Sequence, residues 1–188
     1  MRLAPRNTHT TLRVSTLSGR VTVILGGAAS GKSAFAEQTC VNTGKNRLYW
    51  ATSQILDEEM QKKVSRHLVQ RGGGWTTLEE PFDARKVLPI AQPEDVLLMD
   101  CATMWLTNHL LADHDLQKQT EALLSGFDNC AADIVVVTNE TGLGIVPENA
   151  LARRFREAQG RLNIALAARA DCVVMVAAGL PMVLKGAL

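Results

Sequence analysis

Short runs of apolar, largely β-branched residues recur along the chain: Val21–Leu25, Leu48–Ala51, Val96–Met99, Ile134–Thr138 and Cys172–Val176. Each is nearly continuous rather than alternating, the pattern of parallel strands covered on both faces. Helical segments lie between them, so the pattern predicts βαβ crossovers and a mostly parallel, doubly wound α/β sheet. Val183-Leu184-Lys185 predicts a short edge strand. Two helices are legible in detail. The first is capped by Asp57, opens with Glu58 and Glu59 at the positive end of its dipole, and runs to Gln70-Arg71, where Gly72-Gly73-Gly74 stops it. Met60, Val64, His67 and Leu68 share one of its faces. The second takes Pro147 in its first turn and continues from Glu148 towards Ala170, with Leu151, Phe155, Leu162 and Leu166 as its stripe.

Length and charge narrow the picture further. The chain of 188 residues, 46% of them hydrophobic, suits one well-buried domain, and no repeat or low-complexity linker divides it. Residues 1–20 hold four of the 20 basic residues and no acid, and they read as a flexible N-terminal extension to a domain over 21–188. They lack the apolar core of a secretory signal; their Arg, Thr and Ser content is shared by transit peptides and by many irregular N-terminal extensions, and the second reading is preferred. The remaining 16 basic and 19 acidic residues leave the body slightly acidic, which argues against a nucleic-acid surface. No apolar run approaches the roughly 18 residues of a membrane span. Cys40, Cys101, Cys130 and Cys172 are scattered without a C-x-x-C pair, which suits reduced thiols in the cytoplasm rather than a zinc site or a disulfide framework.

The most specific chemistry follows the first strand. Gly26-Gly27-Ala28-Ala29-Ser30-Gly31-Lys32-Ser33 fits G-x-x-x-x-G-K-S, a P-loop. Its glycines let successive backbone N–H groups turn towards phosphates, Lys32 reaches the β- and γ-phosphates, and the Ser33 hydroxyl is placed for Mg²⁺. A helix beginning around Ala34–Gln38 aims its positive end at the same anion. Asp100 ends the run Val96–Met99 and reads as the acid that holds Mg²⁺ directly or through water.

Other positions leave two readings open. Thr52-Ser53-Gln54 ends a strand on the edge where open α/β sheets bind ligands, and equally suits helix capping. The loop from Thr138 to Pro147 follows another strand on that edge and either binds substrate or only connects elements. His67 is either packed on its apolar helical face or catalytic, with Arg66 and Arg71 nearby in sequence as positive charge for a phosphate.

Taken together, these segments resemble the bifunctional adenosylcobinamide kinase/adenosylcobinamide-phosphate guanylyltransferase family of adenosylcobalamin biosynthesis. The resemblance spans about residues 21–185. It rests on Gly26–Ser33, Tyr49–Met60, Trp75–Glu79, Leu97–Cys101, and Thr138–Glu140 through Val146–Asn149, in that order. It implies a single P-loop NTPase domain of RecA-like type. It also implies two reactions: transfer of the γ-phosphoryl of ATP or GTP to adenosylcobinamide, then transfer of GMP from GTP to adenosylcobinamide phosphate through a covalent GMP-histidine. The histidine that the family guanylylates falls at His67. Nucleotide contacts fall at Ala51, Thr52, Ser53, Glu79 and Asp100, with Arg71 in the segment after the histidine. A homotrimer is implied as well.

The chain departs from the family pattern at Ala29, where relatives usually carry arginine, and at Arg66-His67, where some carry a His-His pair. Without the resemblance, Gly26–Ser33 and Asp100 would suffice for a small-molecule P-loop kinase with no covalent intermediate. A GTPase-type switch is disfavoured because the chain has no N-K-x-D motif. A catalytically silent nucleotide-binding subunit is disfavoured by the intact Lys32-Ser33 pair.

Overall fold

Val21–Gly26 (β1) sends Val21, Val23 and Leu25 into one apolar cluster and Ile24 into another. A strand covered on both faces has no polar side to offer, which is why the run is apolar but for Thr22. Asp95–Asp100 (β4), Asp133–Asn139 (β5) and Cys172–Ala177 (β6) divide their side chains between the same two clusters. The computed structural model describes residues 18–54 and 72–188. Within them, Asn46–Ala51 (β2), Trp75–Glu79 (β3) and Leu180–Lys185 (β7) complete a seven-stranded sheet in the order β3-β2-β4-β5-β1-β6-β7. Every pairing is parallel except the last, where β7 returns antiparallel to β6.

Helices close both faces. Lys32–Asn42 (α1) buries Ala36 and Cys40 against one. Ala102–Leu111 (α2), Leu116–Asp128 (α3) and Ala150–Arg169 (α4) cover the other with Trp105, Leu106, Leu123, Phe127, Leu162 and Leu166. Local chemistry starts these helices. Asp115 accepts the Lys118 N–H at 3.1 Å and Asn149 the Ala152 N–H at 3.2 Å, satisfying donors that the first helical turn leaves unpaired. The opposite end of β1 is pinned by carboxylates: Asp171 accepts from Val21 N at 2.8 Å, and Asp133 accepts from Arg20 N at 2.9 Å.

The parallel, doubly wound α/β fold read from the sequence is the one found, with several boundary corrections. The helix expected from Glu148 begins at Ala150, because Asn149 supplies the cap and Pro147 remains in the preceding loop. Leu151, assigned to its buried stripe, is exposed, since the first turn projects beyond the core; Leu162 and Leu166 are buried as expected. Trp75–Glu79 is a strand that the apolar pattern did not announce. It lies at the sheet edge with Thr76, Thr77 and Glu79 exposed, so it needs no continuous apolar run. The edge strand expected at Val183–Lys185 starts earlier, at Leu180. His67, Arg71 and the helix expected over 57–71 lie outside the described residues, as do residues 1–17 of the N-terminal extension. Among the described residues, no helix is long and apolar enough to cross a membrane.

Candidate active site

The parallel register brings the predicted residues to one edge of the sheet. Glu79 on β3 pairs with Ala51 on β2, Ala51 with Asp100 on β4, Asp100 with Val137 on β5, and Asn139 with Gly26 on β1. The P-loop therefore leaves β1 with one strand, β5, between it and the strand of Asp100. Glu79 stands four strands from Gly26, about 19 Å away at the usual spacing of about 4.8 Å per strand. It is exposed, neighbours Ala51 and not the P-loop, and so marks the far end of the edge.

Two glycines are sterically required in the loop. A Cβ at Gly26 would lie 2.5 Å from the Val176 carbonyl oxygen and 2.5 Å from Ser30 Oγ. Gly31 has φ +92°, and its Cβ would meet Gly179 Cα at 3.1 Å. The turn between β6 and β7 accordingly packs on the loop, and Gly179 N donates to the Ser30 carbonyl at 2.8 Å. Ala28 and Ala29 are exposed at the tip, and Ala29 adopts φ 53°. The Ser30 hydroxyl is buried beneath them without a partner among the described residues.

Lys32 and Ser33 open α1. The Lys32 ammonium is half-buried and donates to the Gly27 carbonyl at 3.0 Å. Burial pulls its pKa below the ordinary lysine value, while Cys101 and the negative charge of Asp100 act in the opposite sense. Ser33 and Asp100 both offer oxygen donors at this edge. Among the described residues no group of three or more His, Cys, Asp or Glu could enclose a metal ion unaided. Such a sparse oxygen set suits Mg²⁺, which is commonly held by one or two protein ligands together with substrate phosphates and water.

Asp100 is oriented by residues that no local motif reveals. Tyr49 Oη donates to its Oδ2 at 3.0 Å. Thr52 Oγ1 donates to the Cys101 carbonyl at 2.8 Å and accepts from Cys101 N at 2.8 Å. Thr52 N donates to the Asp100 carbonyl at 3.3 Å, and Asn108 Nδ2 donates to the Thr52 carbonyl at 2.8 Å. Thr52 is fully buried, and its hydroxyl and both backbone polar groups bond within the protein. Thr52 thus fixes the Asp100-Cys101 segment. Ser53, next to it, is half-buried.

The start of the loop after β5 is also fixed from inside. Thr103 Oγ1 accepts from Asn139 N at 2.8 Å, and Asn163 Nδ2 donates to the Asn139 carbonyl at 3.0 Å. Gln159, fully buried, donates to Thr138 Oγ1 and to Asn163 Oδ1, each at 2.9 Å. Glu140 N donates to the Gly26 carbonyl at 3.1 Å, tying this loop to the P-loop. Polar residues on α2 and α4 thus hold this edge of the sheet, a role that on α4 the apolar stripe read from the sequence does not announce.

Comparison with known proteins agrees with this architecture. A family model described as cobinamide kinase / cobinamide phosphate guanyltransferase matches residues 22–184. A bifunctional adenosylcobalamin biosynthesis protein, CobP, of Pseudomonas aeruginosa is 44% identical over 167 residues, covering 87% of this chain and 96% of the relative. A bifunctional adenosylcobalamin biosynthesis protein, CobU, of Salmonella typhimurium is 38% identical over 180 residues, covering 87% and 98%. Among solved structures, the flagellar accessory protein FlaH of Methanocaldococcus jannaschii shares the fold, with a TM-score of 0.54 at 14% identity over 90% of this chain and 79% of that one. Motifs, sheet order and relatives converge: the chain belongs to the cobinamide kinase / cobinamide phosphate guanyltransferase family.

Proposed function

We propose that this enzyme phosphorylates adenosylcobinamide with ATP or GTP and then transfers GMP from GTP to the resulting adenosylcobinamide phosphate, giving adenosylcobinamide-GDP. The observation that carries the reading is an intact P-loop, Gly26–Ser33, at the same sheet edge as Asp100, in a chain that belongs to the cobinamide kinase / cobinamide phosphate guanyltransferase family. In the first step the substrate hydroxyl attacks the γ-phosphorus. A P–O bond forms, the β–γ bridge breaks, and the hydroxyl proton is released. The backbone amides of Gly26–Ser33 and the Lys32 ammonium supply donors to the phosphate oxygens as charge shifts towards the leaving diphosphate. Ser33 and Asp100 would hold Mg²⁺, which when bound neutralises charge on those oxygens.

For the second step we assign the nucleophile to His67, on the family resemblance. A neutral imidazole nitrogen attacks the α-phosphorus of GTP; a P–N bond forms and pyrophosphate leaves. A phosphate oxygen of adenosylcobinamide phosphate then attacks the same phosphorus, and the P–N bond breaks to restore the imidazole. Ala51, Thr52, Ser53, Arg71 and Glu79 are assigned to the nucleotide on the same basis. Reduced cysteines are consistent with a cytoplasmic enzyme: none of Cys40, Cys101, Cys130 and Cys172 is in a disulfide. A homotrimer is assigned on the family resemblance; the exposed apolar side chains Leu180, Met182, Val183 and Leu184 on edge strand β7 suit a subunit contact.

The kinase half is tested by incubating the full chain with γ-labelled ATP or GTP, Mg²⁺ and adenosylcobinamide. Label should appear in the corrinoid and be lost in Lys32→Met. Absence of corrinoid phosphorylation with either donor would refute it.

A further inference from the structure

The loop between β5 and α4, which begins beside the P-loop where Glu140 N donates to the Gly26 carbonyl, presents apolar side chains to solvent. Leu143 is 81% exposed, Ile145 96% and Val146 67%. Its backbone is nevertheless tied down. Arg156, half-buried on α4, donates to the carbonyls of Ile145, at 3.0 Å, and Gly142. Arg153, one turn earlier, donates to those of Pro147, at 2.9 Å, and Glu148. Glu140 adds a carboxylate bond to Gly142 N. Two arginines thus grip four carbonyls of the segment, and its apolar exposure belongs to a braced loop.

The loop's position limits what it can meet. It leaves the sheet from Asn139 and Glu140, whose neighbours are Gly26 on one side and the strand of Asp100 on the other. A molecule that delivers a hydroxyl or phosphate to a nucleotide held by the P-loop has this loop beside it. We propose that Leu143, Ile145 and Val146 form a binding face for the corrinoid acceptor, packing against the methyl-bearing periphery of its macrocycle. This rests on the kinase and guanylyltransferase reading above. Of the species those reactions bring together, the triphosphate and the cation are polar, whereas the corrinoid macrocycle presents a surface of ring methylenes and methyl groups between its amide side chains and carries its reacting group on a flexible arm. Contact with that surface gives three outward apolar side chains a use at this place in the fold. A second copy of the chain is the competing occupant.

The test uses the full chain with Leu143→Ser, Ile145→Ser and the double variant, all at exposed positions where folding asks little of the side chain. In the double variant the KM for adenosylcobinamide should rise about tenfold or more, the factor expected when most of one apolar contact is lost. The KM for the nucleotide, the kcat at saturating corrinoid and the sedimentation coefficient should stay at wild-type values. Equilibrium dialysis of adenosylcobinamide against nucleotide-free enzyme should show a similar loss of affinity. An unchanged corrinoid KM overturns the proposal. A smaller oligomer also overturns it, assigning the face to a second copy. Wild-type enzyme that fails to phosphorylate adenosylcobinamide would overturn the functional reading itself.

Discussion

The Tyr49 hydroxyl donates to Asp100 Oδ2 across 3.0 Å, joining the interior of β2 to the acid at the end of β4. The Trp75 ring stands edge-on to Tyr49 at 6.1 Å and fixes where that hydroxyl can point. Hydrogen bonds to charged groups contribute about 1.5–3 kcal/mol, so Tyr49→Phe should lower kcat/KM about tenfold in both reactions. Because the bond orients the acid assigned to Mg²⁺, the Mg²⁺ concentration for half-maximal rate should rise too. An unaltered Mg²⁺ dependence would reduce Tyr49 to packing against Trp75.

Adjacent glycines of the P-loop should respond differently to the same methyl group. Gly26→Ala drives a Cβ to 2.5 Å from the Val176 carbonyl, a backbone atom held in the sheet, whereas Gly27→Ala meets nothing within 4 Å. Overpacking of this kind costs about 1–3 kcal/mol, and Gly27→Ala should stay within about 0.5 kcal/mol of wild type. Urea unfolding measures both. Equal stability of the two variants would mean that β6 yields at Val176.

Acid sensitivity should trace in part to His109, which is 2% exposed. Its Nε2 lies 3.2 Å from the Phe82 carbonyl and its Nδ1 2.8 Å from His114 Nδ1. Burial is the largest influence and holds its pKa below the ordinary imidazole value; the Phe82 carbonyl and Asp83 offset this in part, while His114 adds to the lowering. The unfolded chain therefore binds this proton more readily than the folded one. Its contribution to stability is complete above about pH 6.5 and is lost as pH falls below that towards the folded pKa. Between pH 7 and pH 5, wild type should lose more unfolding free energy than His109→Gln, which keeps a donor for Phe82. Parallel pH profiles would contradict the assignment.

What could be read from the sequence is what local chemistry determines. The apolar run of β1, the glycine spacing of Gly26–Ser33 and the acid ending β4 each lie within a few residues, and the fold brings them to one edge as their pattern requires. Trp75–Glu79 escaped because a sheet-edge strand tolerates Thr76 and Thr77 facing solvent. The start of α4 was misplaced because Pro147 signals a helix start as Asn149 does, and only the Asn149 side chain makes the capping bond. The supports of the site were not legible. Tyr49 and Asp100 are 51 residues apart, and Asn163 reaches Asn139 across 24. Periodicity on α4 exposes Leu162 and Leu166 as core residues but gives no hint that Gln159 and Asn163 hold the loop beside the P-loop. The roles of His67 and Glu79 came from family resemblance alone.

One chain is expected to combine a P-loop with a guanylylated histidine. That expectation is tested most directly by incubating purified enzyme with α-labelled GTP and Mg²⁺ and following label that survives denaturation. Covalent label should form that is acid-labile and alkali-stable, as a phosphoramidate is, that is absent from His67→Ala, and that is discharged by adenosylcobinamide phosphate. Wild type without label, or His67→Ala labelled to the same extent, would contradict it.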